Sequence, residues 1–261
     1  MSEPKLHVDA RGAGPLLALA HGFGGSARNF RGQLRRFADV RRVVAWDARG
    51  HARSEAPSDP AAYSLDTLVA DVARVLDGEG ADEAVVGGLS LGAATALAFA
   101  QAHPERVRGL VLASFPAPRR LGGFAPIALP FADAIDREGL EAAGARFVWG
   151  PDSGLDPRGA ALVRQGFLEH PPHALAAILR GVLAELPDPE VWAEGLGEFD
   201  RPVLLIAGGV DGGSVASTRA LAAALPRARS AVIPDAGHVV NLAAPAAFDT
   251  ELEAFLAELG S

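Results

Sequence analysis

Short apolar runs alternate along the chain with longer stretches whose apolar positions recur at helical spacing. Leu16–Ala20 (LLALA), Val43–Trp46 (VVAW), Glu83–Gly88 (EAVVGG), Gly109–Ser114 (GLVLAS), Val203–Gly209 (VLLIAGG) and Ser230–Asp235 (SAVIPD) have strand length and end at Gly, Asp, Ser, His or Pro. Runs apolar at every position suit strands buried on both faces, as in a parallel sheet covered by helices. Asp66–Leu76 carries Leu68, Val69, Val72, Val75 and Leu76 on one helical face; Leu91–Ala102, Arg219–Leu225 and Ala246–Leu259 are further helices. In Arg31–Arg42 the residues Leu34, Phe37 and Val40 recur at helical spacing between arginines, the pattern of a helix with a solvated face. Strand–helix alternation of this kind predicts an α/β fold with a mostly parallel, doubly wound sheet.

The rhythm breaks between about Phe115 and Phe199. Prolines and glycines interrupt helical fragments such as His173–Leu186, and no convincing strand is present. The pattern predicts a core formed by residues 1–115 and 200–261, with a helical lid inserted at 116–199.

Composition narrows the function. A formal net charge of −8 argues against a nucleic-acid partner, which calls for a basic face. Cysteine is absent, which excludes disulfides, thiolate catalysis and thiolate metal sites. The first residues lack the apolar core of a signal peptide, and no uninterrupted apolar run approaches the ~18 residues of a membrane span, so a cytoplasmic, non-membrane protein is expected.

The chemistry gathers around Gly88-Leu89-Ser90-Leu91-Gly92, between an apolar strand and an alanine-rich helix. A serine hydroxyl becomes a useful nucleophile only when it stands clear of the backbone and reaches a base. A tight strand-to-helix turn flanked by glycines achieves this. The helix N-terminus adds amides and partial positive charge where an oxyanion would form. The same serine could serve only as a helix cap, so its companions decide.

Two companions follow in chain order. Asp211 lies just beyond the strand Val203–Gly209, and His238 lies in a glycine-containing loop after Ser230–Asp235. His238 would take the Ser90 proton while Asp211 orients its ring. Asp235 is a rival acid, but the strand-end position favours Asp211. His21-Gly22-Phe23-Gly24-Gly25 follows the first core strand, and the amides of Phe23 and Leu91 are the expected oxyanion donors.

On "HGFGGS", "WDARGHARS", "GGLSLG", "HPERVRGLVL", "PVLLIAGGVD" and "PDAGH", in that order, the chain resembles the α/β-hydrolase fold family in its compact, lid-bearing form. The resemblance spans Leu16 to about Pro118 and Arg201 to Leu259. It implies a serine hydrolase of small to medium esters, with no cofactor and a small-molecule, ester-like substrate. Enol-lactone hydrolysis, C–C bond hydrolysis, perhydrolysis and an elimination like that of the menaquinone-pathway member are alternatives on the same triad. A non-catalytic ligand-binding receptor of this fold is the alternative from another class. The resemblance also makes Asp47, Arg49 and His51 structural. The chain departs from the pattern at Ala52, where a glycine is usual, and at Ala243, where an acidic residue is common.

Phe124, Phe131, Phe147, Trp149, Phe167 and Trp192 are candidates to line the substrate pocket. His170 and His173, in "HPPH", make a poor metal site without a carboxylate pair, and no metal is expected. His103, before Pro104, reads as a surface or capping residue. The glycine clusters match neither a P-loop nor a dinucleotide fingerprint. Oligomeric state is not legible in the sequence.

Overall fold

The computed structural model describes residues 3–117, 124–150, 157–196 and 199–260. Its centre is a sheet of seven strands: β1 (His7–Arg11), β2 (Leu16–Ala20), β3 (Arg42–Asp47), β4 (Ala84–Leu89), β5 (Val107–Ala113), β6 (Val203–Gly208) and β7 (Ala228–Ile233). Their spatial order is β1-β3-β2-β4-β5-β6-β7, with β1 antiparallel to β3 and every other pairing parallel.

The runs of β2 to β6 form strands because both of their faces are covered, whereas the edge strand β7 buries only Ile233. Leu17 and Leu19 enter the core on one side, while Leu16, Ala18 and Ala20 enter the core on the other. Helices α2 (Leu65–Gly78), α3 (Leu91–Ala102) and α8 (Gly212–Ala224) belong to the second side. Helices α1 (Arg31–Arg36), α9 (Val240–Ala243) and α10 (Pro245–Glu258) belong to the first. Ser64 starts α2 by accepting from the Thr67 amide at 3.2 Å, while the Thr67 hydroxyl accepts from the Ser64 amide at 3.0 Å.

Four features depart from the hydrophobic pattern. β1 was not among the expected strands: its residues are polar because it lies at the sheet edge, with no position fully buried. α1 ends at Arg36, so Leu34 and Phe37 are buried but Val40 is 64% exposed. α8 begins at Gly212 rather than Arg219, because the Asp211 carboxylate caps it by accepting from the Ser214 amide at 3.1 Å. Ala52 sits at φ 43°, which explains the glycine usual at that turn.

Between β5 and β6 the described elements are all helical: α4 (Phe124–Phe147), α5 (Pro157–Phe167), α6 (Pro172–Ile178), a π-helical turn over Leu179–Leu183, and α7 (Pro189–Glu194). α4 breaks at Gly139, where φ is 83°. Among the described residues no helix is long and apolar enough to cross a membrane.

β3 lies on one side of β2 and β4 on the other, so the winding direction reverses there. Open α/β sheets bind ligands at such reversals, in the crevice beyond the strands' carboxyl ends. The loops leaving β2 and β4 are those that carry Phe23 and Ser90.

Candidate active site

Ser90 occupies the turn between β4 and α3 at φ 53°, ψ −112°, a conformation that side chains rarely adopt. Holding it costs about 1–3 kcal/mol, supplied by the surrounding packing. The glycines on either side permit that packing. A Cβ on Gly92 would lie 2.1 Å from the Ala20 carbonyl oxygen, and one on Gly88 would lie 2.4 Å from the Gly92 carbonyl carbon. β2, β4 and α3 therefore meet backbone against backbone. The Ser90 side chain makes no capping hydrogen bond to its helix. The hydroxyl is not spent on holding the helix end.

The loop after β2 lies against this turn. A Cβ on Gly22 would be 3.5 Å from Ser90 Cβ and 3.3 Å from the Leu89 carbonyl oxygen. Leu91 is the first residue of α3, so its N–H is one of the end donors without an intrahelical acceptor. Phe23 and Leu91 thus belong to the two segments that flank Ser90.

His21 and His51 shape the Phe23 loop. His21 Nδ1–H donates to the Gly22 carbonyl at 2.7 Å, and its Nε2 accepts from the Ala48 amide at 2.9 Å. Burial pushes its pKa down to about 4, against weaker opposition from the Gly22 bond and Asp47, and keeps the ring neutral. His51 Nε2 accepts from the Gly24 amide at 3.2 Å, and burial lowers its pKa well below the usual histidine value, helped by His21 and His170. Asp47 accepts from the Ala27 amide at 2.7 Å and from Arg53 Nε at 2.8 Å. Arg49 grips Asp71 through two bonds of 2.7 and 2.8 Å, with both groups buried. The Asp47–Ser54 turn is thus scaffolding beneath the loop.

On the other flank, Asp211 Oδ2 and His238 Nδ1 are 2.6 Å apart. Small residues bring their loops together: a Cβ on Gly208 would lie 2.3 Å from the Gly237 carbonyl oxygen, and the Val210 amide donates to the Ala236 carbonyl at 3.1 Å. Burial alone would raise the Asp211 pKa. The His238 hydrogen bond and charge, with the Ser214 hydroxyl (2.5 Å) and amide, outweigh it and bring the value down to about 2. The rival, Asp235, is an exposed turn residue at φ 58° without a bond to His238. The His238 side chain is 49% exposed, and among the described residues its Nε2 has no hydrogen bond to Ser90. Serine–base bonds are commonly long before substrate binds.

The aromatic candidates divide. Phe131 stacks on Phe147 at 4.7 Å and on Phe167 at 5.9 Å; Trp149 meets Phe167 edge-on at 5.6 Å; Phe23 meets Phe131 and Phe167 at 5.8 and 6.2 Å. These form one cluster beside the Gly22–Gly25 loop. Trp192 stands apart, edge-on to Phe115 at 6.2 Å, its indole N–H on the Pro187 carbonyl. The Phe124 side chain lies outside the described residues. His170 faces carbonyl oxygens rather than an ionic partner, at 3.0 Å from Phe167 and 2.8 Å from Gly25. The sequence reading weighed His170 only as a poor metal ligand and did not reach its contact with Gly25 or the bonds from His21 and His51.

Residues 15–133 match the alpha/beta hydrolase fold family. Over 247 residues the chain is 32% identical to a Bacillus subtilis (strain 168) protein provisionally named 2-succinyl-6-hydroxy-2,4-cyclohexadiene-1-carboxylate synthase, spanning 92% of this chain and 89% of that protein. The chain belongs to the α/β-hydrolase fold family. Among solved structures, this α/β-hydrolase is similar to a thermophilic esterase from Thermogutta terrifontis (TM-score 0.87, 26% identity, covering 99% of this chain and 95% of the other). It is also similar to an enol-lactonase from Burkholderia xenovorans LB400 (TM-score 0.84, 26% identity, covering 97% of each chain). Epoxide hydrolases match over 40% to 53% of this chain.

Proposed function

We propose that this α/β-hydrolase is a serine hydrolase of small to medium esters, working through an acyl-enzyme on Ser90. The 2.6 Å bond from Asp211 to His238 carries the reading, because it fixes His238 Nδ1 as the protonated nitrogen and leaves Nε2 as the base. The Ser90 Oγ attacks the ester carbonyl carbon as its proton passes to His238 Nε2. The oxyanion is held by the amides of Phe23 and Leu91, on segments the Gly22 contact brings against the serine turn. Collapse returns that proton to the departing alkoxide. Water then attacks the acyl carbon, losing a proton to His238, and the acid leaves as Ser90 regains its proton. The helices of residues 116–199 would act as a lid, with the Phe23–Phe131–Phe167 cluster presenting an apolar wall to the substrate.

The serine is the main argument against an epoxide-opening reaction, whose members of this fold place an aspartate at the nucleophile position. The resemblance to a synthase over nearly the whole chain favours a second reading, elimination with Ser90 and His238 as the proton-transfer pair. Hydrolysis of p-nitrophenyl esters from acetate to laurate, with Ser90→Ala alongside, tests the first. The expected outcome is turnover with a chain-length optimum, reduced about 10⁴-fold or more in the variant. A folded wild-type protein that a fluorophosphonate labels at Ser90 but that cleaves no ester moves the assignment to elimination or lactone chemistry. Absence of labelling while a ligand still binds points to a receptor.

A further inference from the structure

The chain from Phe167 to His170 sits on the loop that carries Phe23. A Cβ on Gly24 would lie 2.6 Å from the Phe167 ring, Arg28 pairs with Glu169, and His170 Nε2 lies 2.8 Å from the Gly25 carbonyl oxygen. Three histidine rings run beneath the loop: His21 to His51 at 4.9 Å between centroids, and His51 to His170 at 5.1 Å. Each ring takes a different backbone group. His21 takes the Gly22 carbonyl, His51 the Gly24 amide, and His170 the Gly25 carbonyl. The Phe23 amide lies between the held groups. His21 and His51 come from the sheet side, whereas His170 is 4% exposed and comes from the helical insertion.

We propose that His170 is a positioning residue, fixing the Phe23 amide toward the oxyanion through its bond to the Gly25 carbonyl, and so coupling the seating of the insertion to catalytic competence. The proposal rests on the serine-hydrolase reading above. Displacement of a donor by a fraction of an ångström weakens its hold on the transition state more than on the ground-state carbonyl, so the cost falls on kcat. The two ring nitrogens permit a discriminating pair of variants. An amide at the end of His170→Gln reaches the position of Nε2 and can serve Gly25. The shorter amide of His170→Asn corresponds to Nδ1 and serves only the Phe167 carbonyl, 3.0 Å from that nitrogen.

The experiment measures ester kcat and KM, and inhibition by an alkyl boronic acid as a mimic of the tetrahedral intermediate, for wild type, H170N and H170Q. Thermal unfolding is recorded for each. The expected result is a kcat about tenfold lower in H170N with KM within twofold, boronic acid affinity weaker by the same factor, and H170Q within twofold of wild type. Equal kcat in the two variants, or a deficit confined to KM or to thermal stability, overturns the proposal while leaving Ser90 chemistry intact. Failure of a fluorophosphonate to label Ser90 in the folded wild type removes the serine reading, and this proposal falls with it.

Discussion

The loop after β2 and the loop after β7 each carry a histidine, and they hold it in opposite ways. His21 is 2% exposed, bonded at both ring nitrogens to backbone, and pushed by burial to a pKa of about 4. The His238 side chain is 49% exposed and anchored through one nitrogen to Asp211. The first cannot exchange a proton near neutrality without losing a structural bond. The second leaves its Nε2 free of any such backbone bond among the described residues, while its carboxylate partner, with a pKa of about 2, stays ionised. Burial ties the first ring into the loop at both nitrogens, and exposure leaves the second with its Nε2 edge open.

The largest expected effect breaks the base flank. Asp211→Asn removes the group that holds the His238 tautomer and should lower kcat/KM by about 10³- to 10⁴-fold, with stability changed by no more than about 2 kcal/mol. Steady-state kinetics and urea unfolding of the same preparation check both parts. On the oxyanion flank the balance inverts. Gly92→Ala drives a methyl into the Ala20 carbonyl, and should cost about 3 kcal/mol of stability along with most of the activity. Unfolding midpoints read the loss directly.

A third effect, on stability alone, separates the flanks by pH. The folded pKa of His21 lies below its unfolded value, so its contribution is complete above pH ~6.5 and is lost as pH falls toward 4, about 3 kcal/mol in all. The Asp211 pKa is also depressed, but its contribution is complete above pH ~4 and disappears only as pH approaches 2, about 1–2 kcal/mol given the exposure of its partner. Urea midpoints across pH 2–8 should show two losses. A His21→Gln variant should reduce the upper one, which the buried His51 shares, and Asp211→Asn should reduce the lower, which Asp47 shares.

Much of this was legible in the sequence. The apolar runs gave β2 through β6 because strands covered on both faces leave little room for polar residues, and the edge strand β7 was found through its Ala231-Val232-Ile233 run although only Ile233 is buried. β1 escaped because this edge strand, HVDAR, carries charged or polar residues at three of its five positions and shows no apolar run. The acid candidate was readable from its place after a strand, but its second task, capping α8, was not, since "DGGS" shows no helical periodicity. His170 was visible only as half of an "HPPH" motif. Its bond to Gly25 joins residues 145 positions apart, a relation that no local pattern encodes.

β1 has a consequence for how these molecules behave in a crowd. A sheet of seven strands has two open rims, and a rim with unpaired backbone groups invites another chain to add a strand. On this rim the Asp9 carboxylate accepts a hydrogen bond from His7 and pairs with Arg53, and Arg11 ends the strand exposed. An incoming strand would have to bury those charges. The polarity that hid β1 from the hydrophobic pattern is thus also a guard against edge-to-edge aggregation.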